Sequence, residues 1–203
     1  GSLNKEVNAY LELLNNTHYP VWMTATHDFS RIASRLAGRQ YVNAINMLLL
    51  TLPGTPISYY GEEIGMVDGN ITSDKIGSRD PHRTPMQWNG QDHAGFTEGN
   101  TTWLPVASDF RLNNVHAQDA LNAGTTFLEV YHEVSMLRRQ PSFQWGHFHS
   151  GVIDSIYYFV RQAQGFDGFL VAINFGPGVT NANFVADCHE AGIPEMGKVV
   201  VHT

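Results

Sequence analysis

Cysteine is nearly absent from this chain. Cys188 is the only one in 203 residues, which excludes an internal disulfide framework and leaves the compartment open. Basic residues are also few, with Lys+Arg at 12 against Asp+Glu at 19 and a net charge of -7. Without a Lys/Arg block to neutralise phosphates, nucleic acid is not an expected partner. No apolar run reaches the roughly eighteen residues of a membrane span, so none is expected within these residues. The N-terminus lacks the ordered regions of a signal peptide, and Gly1-Ser2 reads as a cloning scar or an arbitrary start. There is no internal repeat and no low-complexity tract. What remains is an ordinary globular composition, 42% hydrophobic and 15% charged, of a length for one or two domains.

Periodicity divides the chain into two kinds of segment. Residues 4–15 place Val7, Tyr10, Leu11 and Leu14 at helical spacing. Residues 21–26 read as a short strand with little charge, of the kind buried on both faces of a parallel sheet. Residues 39–52 predict a second helix that ends at Pro53-Gly54, and 56–60 a second strand. Helix, strand, helix, strand is the α/β repeat of a parallel sheet. Residues 61–115 are rich in Gly, Asn, Asp, Thr and Pro, and a loop of that length inside a compact domain tends to be functional. Helical spacing returns over 125–139 and stops at Pro141. Runs at 152–160, 169–174 and 198–202 then predict a small antiparallel sheet domain.

In a parallel α/β barrel, reactive groups sit at the C-terminal ends of strands. His27 and Asp28 occupy that place after the first strand, and Glu62 and Glu63 after the second. The long loop adds Arg79, Asp80, His82, Arg83, Trp88, Phe96 and Trp103. Carboxylates, a guanidinium fork and flat apolar rings suit a polyhydroxylated ligand. Plainer explanations exist for each residue. Asp28 could cap the following helix, Arg83 could serve a structural ion pair, and Trp88 and Trp103 could be core. His147 and His149 alternate as strand residues do, and without a third ligand nearby they read as a solvated face, not a metal site. Sequons at Asn15, Asn70 and Asn100 favour a secreted or lumenal glycoprotein.

Three blocks carry a resemblance: "THDFSR", "LLLTLPGTPISYYGEEIGM" and "GSRDPHRTPMQWNGQDHAGFTEGNTTWLPV". In this order they resemble the α-amylase superfamily, most closely its maltase and oligo-1,6-glucosidase branch, over about residues 3–137. The resemblance implies an α/β fold: the last quarter of a (β/α)8 TIM barrel over 1–140, then part of an all-β C-terminal sandwich domain over 141–203. By it, the two strands are the seventh and eighth of the barrel. Asp28 matches the family's third acid, which holds sugar hydroxyls and stabilises an oxocarbenium-like transition state. His27 and Arg83 match residues that bind the non-reducing glucose. Arg31 matches the motif arginine, grouped here with the substrate-binding residues in a supporting role. The position before His27, more often Asn in the family, is Thr26.

The resemblance also explains why no second acid of like character stands near Asp28. A retaining glycosidase needs a nucleophile and an acid/base, and in this family both lie upstream of residue 1. The expected protein is therefore a C-terminal piece of a retaining α-glucosidase acting on terminal α-linked glucose, inactive and unable to fold without the remainder of its barrel. No cofactor is implied among these residues, and calcium only upstream. The expected setting is extracellular or lumenal, with any membrane anchor also upstream. Two alternatives share the fold: the heavy subunit of a heteromeric amino-acid transporter, and a non-catalytic storage or receptor protein.

Overall fold

The computed structural model describes residues 2–15, 17–36, 38–71, 79–120, 126–187 and 193–202. Helix α1 (Ser2–Leu14) is followed by β1 (Val21–Met23), α2 (Ile32–Arg35), α3 (Val42–Thr51) and β2 (Thr55–Ile57). Two short 3-10 turns, Glu62–Ile64 and Asp80–Arg83, and a turn at Asp92–Gly95 with His93 and Ala94 in left-handed geometry punctuate the long loop. Then come α4 (Val115–Ala120), α5 (Phe127–Leu137), α6 (Pro141–Trp145), β3 (His147–Ile153), β4 (Ile156–Gln162), β5 (Phe169–Asn174) and α7 (Phe184–Asp187). Strands β1 and β2 pair in a two-stranded sheet, and β3-β4-β5 form a second, antiparallel sheet in that order.

The chain divides into two compact units. One gathers Gly1–Val21, Thr51–Thr55 and Met136–His202; the other Trp22–Leu50 and Pro56–Ser135. In the first, β4 is the central strand, and Ile156, Tyr157, Tyr158, Phe159, Val160 and Arg161 are all buried. Arg161 is buried at the heart of this sheet and donates to the backbone carbonyls of Thr51 at 3.0 Å and Phe143 at 2.9 Å, while its Nε has no hydrogen-bond partner. Helix α1 meets β3 through polar contacts: Asn8 Nδ2 donates to Ser150 Oγ at 3.1 Å, and that hydroxyl donates to Asn4 Oδ1 at 2.7 Å.

The second unit holds its long loop with side-chain amides, because the loop has no ladder of its own. Gln118 Nε2 donates to Ile64 O at 2.9 Å, and its Oε1 accepts the Leu128 N–H at 2.9 Å. Ile64, Met66 and Met86 bury together, with Val115 and Leu128 against them. Helix α5 begins with a reciprocal cap. Thr126 Oγ1 accepts the Glu129 N–H at 3.2 Å, while the Glu129 carboxylate accepts the Thr126 N–H at 3.2 Å.

Two sequence expectations need correction. The run 152–160 is not one strand but the end of β3, a two-residue turn and the start of β4, with Ile153 opposite Ile156. Asp154 takes φ 52, a left-handed geometry that Asp tolerates and a tight hairpin turn requires. Residues 198–202 form no strand; Val199 and Val200 are 74% and 51% exposed and find no pairing partner among the described residues. Helix α4 begins where the stretch read as loop ends. The start of the expected helix at Thr125, and Cys188, lie outside the described residues.

Candidate functional site

After β1 the chain turns sharply. Thr26 pairs with Phe29 in an isolated bridge, and the Asp28 N–H donates to Thr26 Oγ1 at 3.1 Å. The Thr26 hydroxyl makes the local turn that an Asn amide oxygen makes in the same place. His27 and Asp28 are thereby carried at the tip, with side chains 64% and 42% exposed. Asp28 does not cap α2: that helix starts at Ile32 with Arg31 at its N-cap position.

Two guanidinium groups and an imidazole converge on one oxygen of Asp28. Arg79 Nη1 donates to Asp28 Oδ1, Arg83 Nη2 donates to it at 3.2 Å, and His27 Nε2 lies 3.3 Å away. Arg83 Nε also donates to His27 O at 3.0 Å. The 3-10 turn Asp80–Arg83 makes this convergence geometrically simple, since it starts one residue after Arg79 and ends at Arg83. The hydrogen bond from Arg79 holds the Asp28 carboxyl below its usual range, with the charges of Arg79, His27 and Arg83 adding to it against partial desolvation. Asp28 is therefore an anion at neutral pH, with its second oxygen free of these three groups.

His27 and Arg83 also line an open pocket of about 520 Å³. Its walls are Tyr59, Tyr60, Glu63, Pro85, Met86, Trp88, Phe96 and Trp103. Trp88, Phe96 and Trp103 are 49%, 46% and 65% exposed, so the core reading of the two tryptophans gives way to a pocket wall. Glu63 is a half-buried carboxyl whose affinity for its proton is raised by burial. Tyr60, which donates to Thr84 O at 2.5 Å, is pushed up to about 12 by burial and stays a donor.

Arg31 lies behind the site. It is 0% exposed and reaches no ligand surface. Its Nη1 donates to Tyr60 O at 2.6 Å, and its guanidinium lies 5.1 Å and 4.6 Å from the Tyr59 and Tyr60 ring centres. In this position Arg31 supports the two tyrosines from behind. Glu62 is likewise internal, accepting from the Thr24 hydroxyl at 2.6 Å and the Tyr59 N–H at 2.7 Å, and burial raises its carboxyl. Sequence reasoning missed Arg79 as a partner of Asp28; the only signal was the arginine pair four apart in "RDPHR".

His147 and His149 are residues of β3, and no group of three or more metal-ligating side chains occurs among the described residues. Asn15, Asn70 and Asn100 are exposed; Asn16 and Thr72 of their sequons lie outside the described residues. Among the described residues, no helix is long and apolar enough to cross a membrane.

Comparison with known proteins agrees on one family. The model of the alpha amylase catalytic domain matches residues 2–146. The amino acid transporter heavy chain SLC3A1 of Rattus norvegicus is 40% identical over 186 residues, covering 87% of this chain and 26% of the relative. Maltase A1 of Drosophila melanogaster is 34% identical over 192 residues, covering 87% of this chain and 33% of the relative. The chain thus spans about a quarter to a third of the length of these relatives. An isomaltulose synthase from Erwinia rhapontici, solved in complex with D-glucose, superposes with a TM-score of 0.73 at 24% identity, covering 85% of this chain and 37% of that one. Its fold is related to the (β/α)8 barrel of those enzymes, and the chain belongs to the alpha-amylase catalytic-domain family.

Proposed function

We propose that this chain is the C-terminal part of a retaining α-glucosidase that releases terminal α-linked glucose from maltose-like substrates. The observation that carries this reading is the convergence of His27, Arg79 and Arg83 on Asp28 beside an aromatic-walled pocket. An anionic Asp28 accepts hydrogen bonds from sugar hydroxyls and stabilises positive charge at the anomeric carbon as the glycosidic bond breaks. His27 and Arg83 supply donors to the same ring, and Trp88, Phe96 and Trp103 offer apolar faces to sugar. The nucleophile and the acid/base, roughly 5–5.5 Å apart in a retaining enzyme, belong to the preceding part of the barrel. In this reading β1 and β2 are its seventh and eighth strands. Their exposed Val21, Met23 and Ile57 are then covered by the rest of the barrel, without which the 203-residue chain is inactive. The three exposed asparagine acceptors fit an extracellular setting.

The test is turnover of maltose by the full-length polypeptide and by its Asp28→Asn variant. Glucose release that falls at least about 10²-fold in the variant supports the reading. No release by the unmodified protein removes it.

A second reading is favoured by the 40% identity to the transporter heavy chain of Rattus norvegicus. In that case the fold serves as the ectodomain of a membrane partner and Asp28 is a remnant. A single membrane span, a missing nucleophile and no glucose release would together select it.

A further inference from the structure

We infer that Asp68 is a positioning residue of this site, riveting the segment that carries His27 and Asp28 to the turn that carries Arg83. Asp68 lies just beyond the turn Glu62–Ile64 and its side chain is 20% exposed. Oδ2 accepts the Ser30 hydroxyl, and Oδ1 accepts the Arg31 N–H at 2.9 Å. His82 Nδ1, buried and without a hydrogen-bond partner, stands 3.4 Å from Oδ1. The Asp68 N–H donates to Ser34 Oγ at 2.8 Å.

The contacts join two stretches far apart in the chain. Ser30 and Arg31 follow Asp28 by two and three residues, and His82 immediately precedes Arg83. The neighbouring Gly69 strengthens the join. Its N–H donates to Pro81 O at 2.8 Å, and a Cβ at that position would run into Thr84 Cγ2. On the far side of the rivet, Arg83 donates both to His27 O and to Asp28 Oδ1. Neither stretch is held in a sheet ladder, so their register depends on side chains. A carboxylate accepting from both a hydroxyl and a backbone N–H is a strong fixed point for such a register. Misplacement of a site group by about 1 Å costs on the order of 10² in rate.

The kinetic part of this inference rests on the glucosidase reading; the structural part does not. In the full-length protein, Asp68→Ala is expected to lower kcat/KM on maltose by about 10²-fold, the loss falling in kcat. Asp68→Asn recovers most of it, because Asn still offers an oxygen to the Arg31 N–H and an amide to Ser30 Oγ. A lower thermal midpoint in Asp68→Ala with unchanged kcat/KM for the folded protein overturns the inference. If Asp68→Ala does not fold, Ser30→Ala removes one bond of the rivet and is expected to lower kcat alone, and no loss there overturns it. If the unmodified protein does not release glucose, the glucosidase reading fails on its own. The rivet is then read by hydrogen exchange: Asp68→Ala speeds exchange in peptides covering 26–31 and 79–84, and Asp68→Asn does not. Equal exchange in all three proteins overturns it.

Discussion

Replacing the buried Arg31 with Met sets several competing energies against one another. Met keeps most of the apolar stem and deletes the guanidinium. Lost is a charge-assisted hydrogen bond to Tyr60 O, about 1.5–3 kcal/mol. Lost too is the attraction to the rings of Tyr59 and Tyr60, about 1 kcal/mol each. Against this, Nε and Nη2 are buried without partners, so their removal relieves a desolvation cost of a few kcal/mol. The balance is decided by the acids nearby. Burial raises the carboxyls of both Glu62 and Glu63, and the charge of Arg31 opposes that rise. Without it, ionised Glu62 keeps only the Thr24 hydroxyl and the Tyr59 N–H. The expected net destabilisation at pH 7 is about 2–4 kcal/mol. The sign with pH follows from the raised carboxyl. A raised folded value favours the protonated form in the fold, so the cost of ionisation is present above that value and fades as pH falls through it. Deleting Arg31 raises Glu62 further, so the gap between the two proteins is widest at pH 7 and narrower at pH 5. Urea unfolding of the full-length protein, followed by tryptophan fluorescence at both pH values, measures it. A gap under about 1 kcal/mol at pH 7, or one that does not change with pH, refutes this account of Arg31.

Two further outcomes are expected. Arg79→Ala removes the largest influence depressing the Asp28 carboxyl, which rises toward the usual carboxylate range. The acid limb of the pH profile of kcat/KM then moves to higher pH, and an unmoved limb counts against Asp28 working as an anion. Gly61→Ala strains a backbone at φ 86 and drives its new methyl into Met66 Sδ and, at 2.9 Å, Arg31 Nη1. A loss of about 1–3 kcal/mol is expected in the same urea assay, and an unchanged midpoint contradicts the packing described around Arg31.

Local signals carried the outline of the fold. Val7, Tyr10, Leu11 and Leu14 defined α1, and Pro53-Gly54 marked the end of α3 within a residue. The strands came out shorter than read because polar side chains take the backbone elsewhere. Thr24 turns to Glu62 and Thr26 folds back on Phe29, so β1 stops at Met23. The turn at Asp154-Ser155 was hidden because it has no Gly or Pro and stands between isoleucines. Helix α4 has six residues, too few for a period, and its start is marked only by Asn114, whose Oδ1 accepts the Ala117 N–H at 2.8 Å. At the site, His27, Asp28 and Arg83 were legible because each sits in a recognisable block. The partnerships were not. Arg79 meets Asp28 across 51 positions, and Ser30 meets Asp68 across 38. Such pairings are set by tertiary folding, and no spacing in the sequence announces them.

The most direct test of the central claim is the anomer released first. An aryl α-glucoside, whose only sugar product is the glucose formed at the cleaved bond, is mixed with the full-length protein and the products are followed by proton NMR before mutarotation. The account predicts α-glucose at the earliest times, since two displacements at the anomeric carbon retain its configuration. β-Glucose released first, or no glucose at all, would contradict a retaining α-glucosidase built around Asp28.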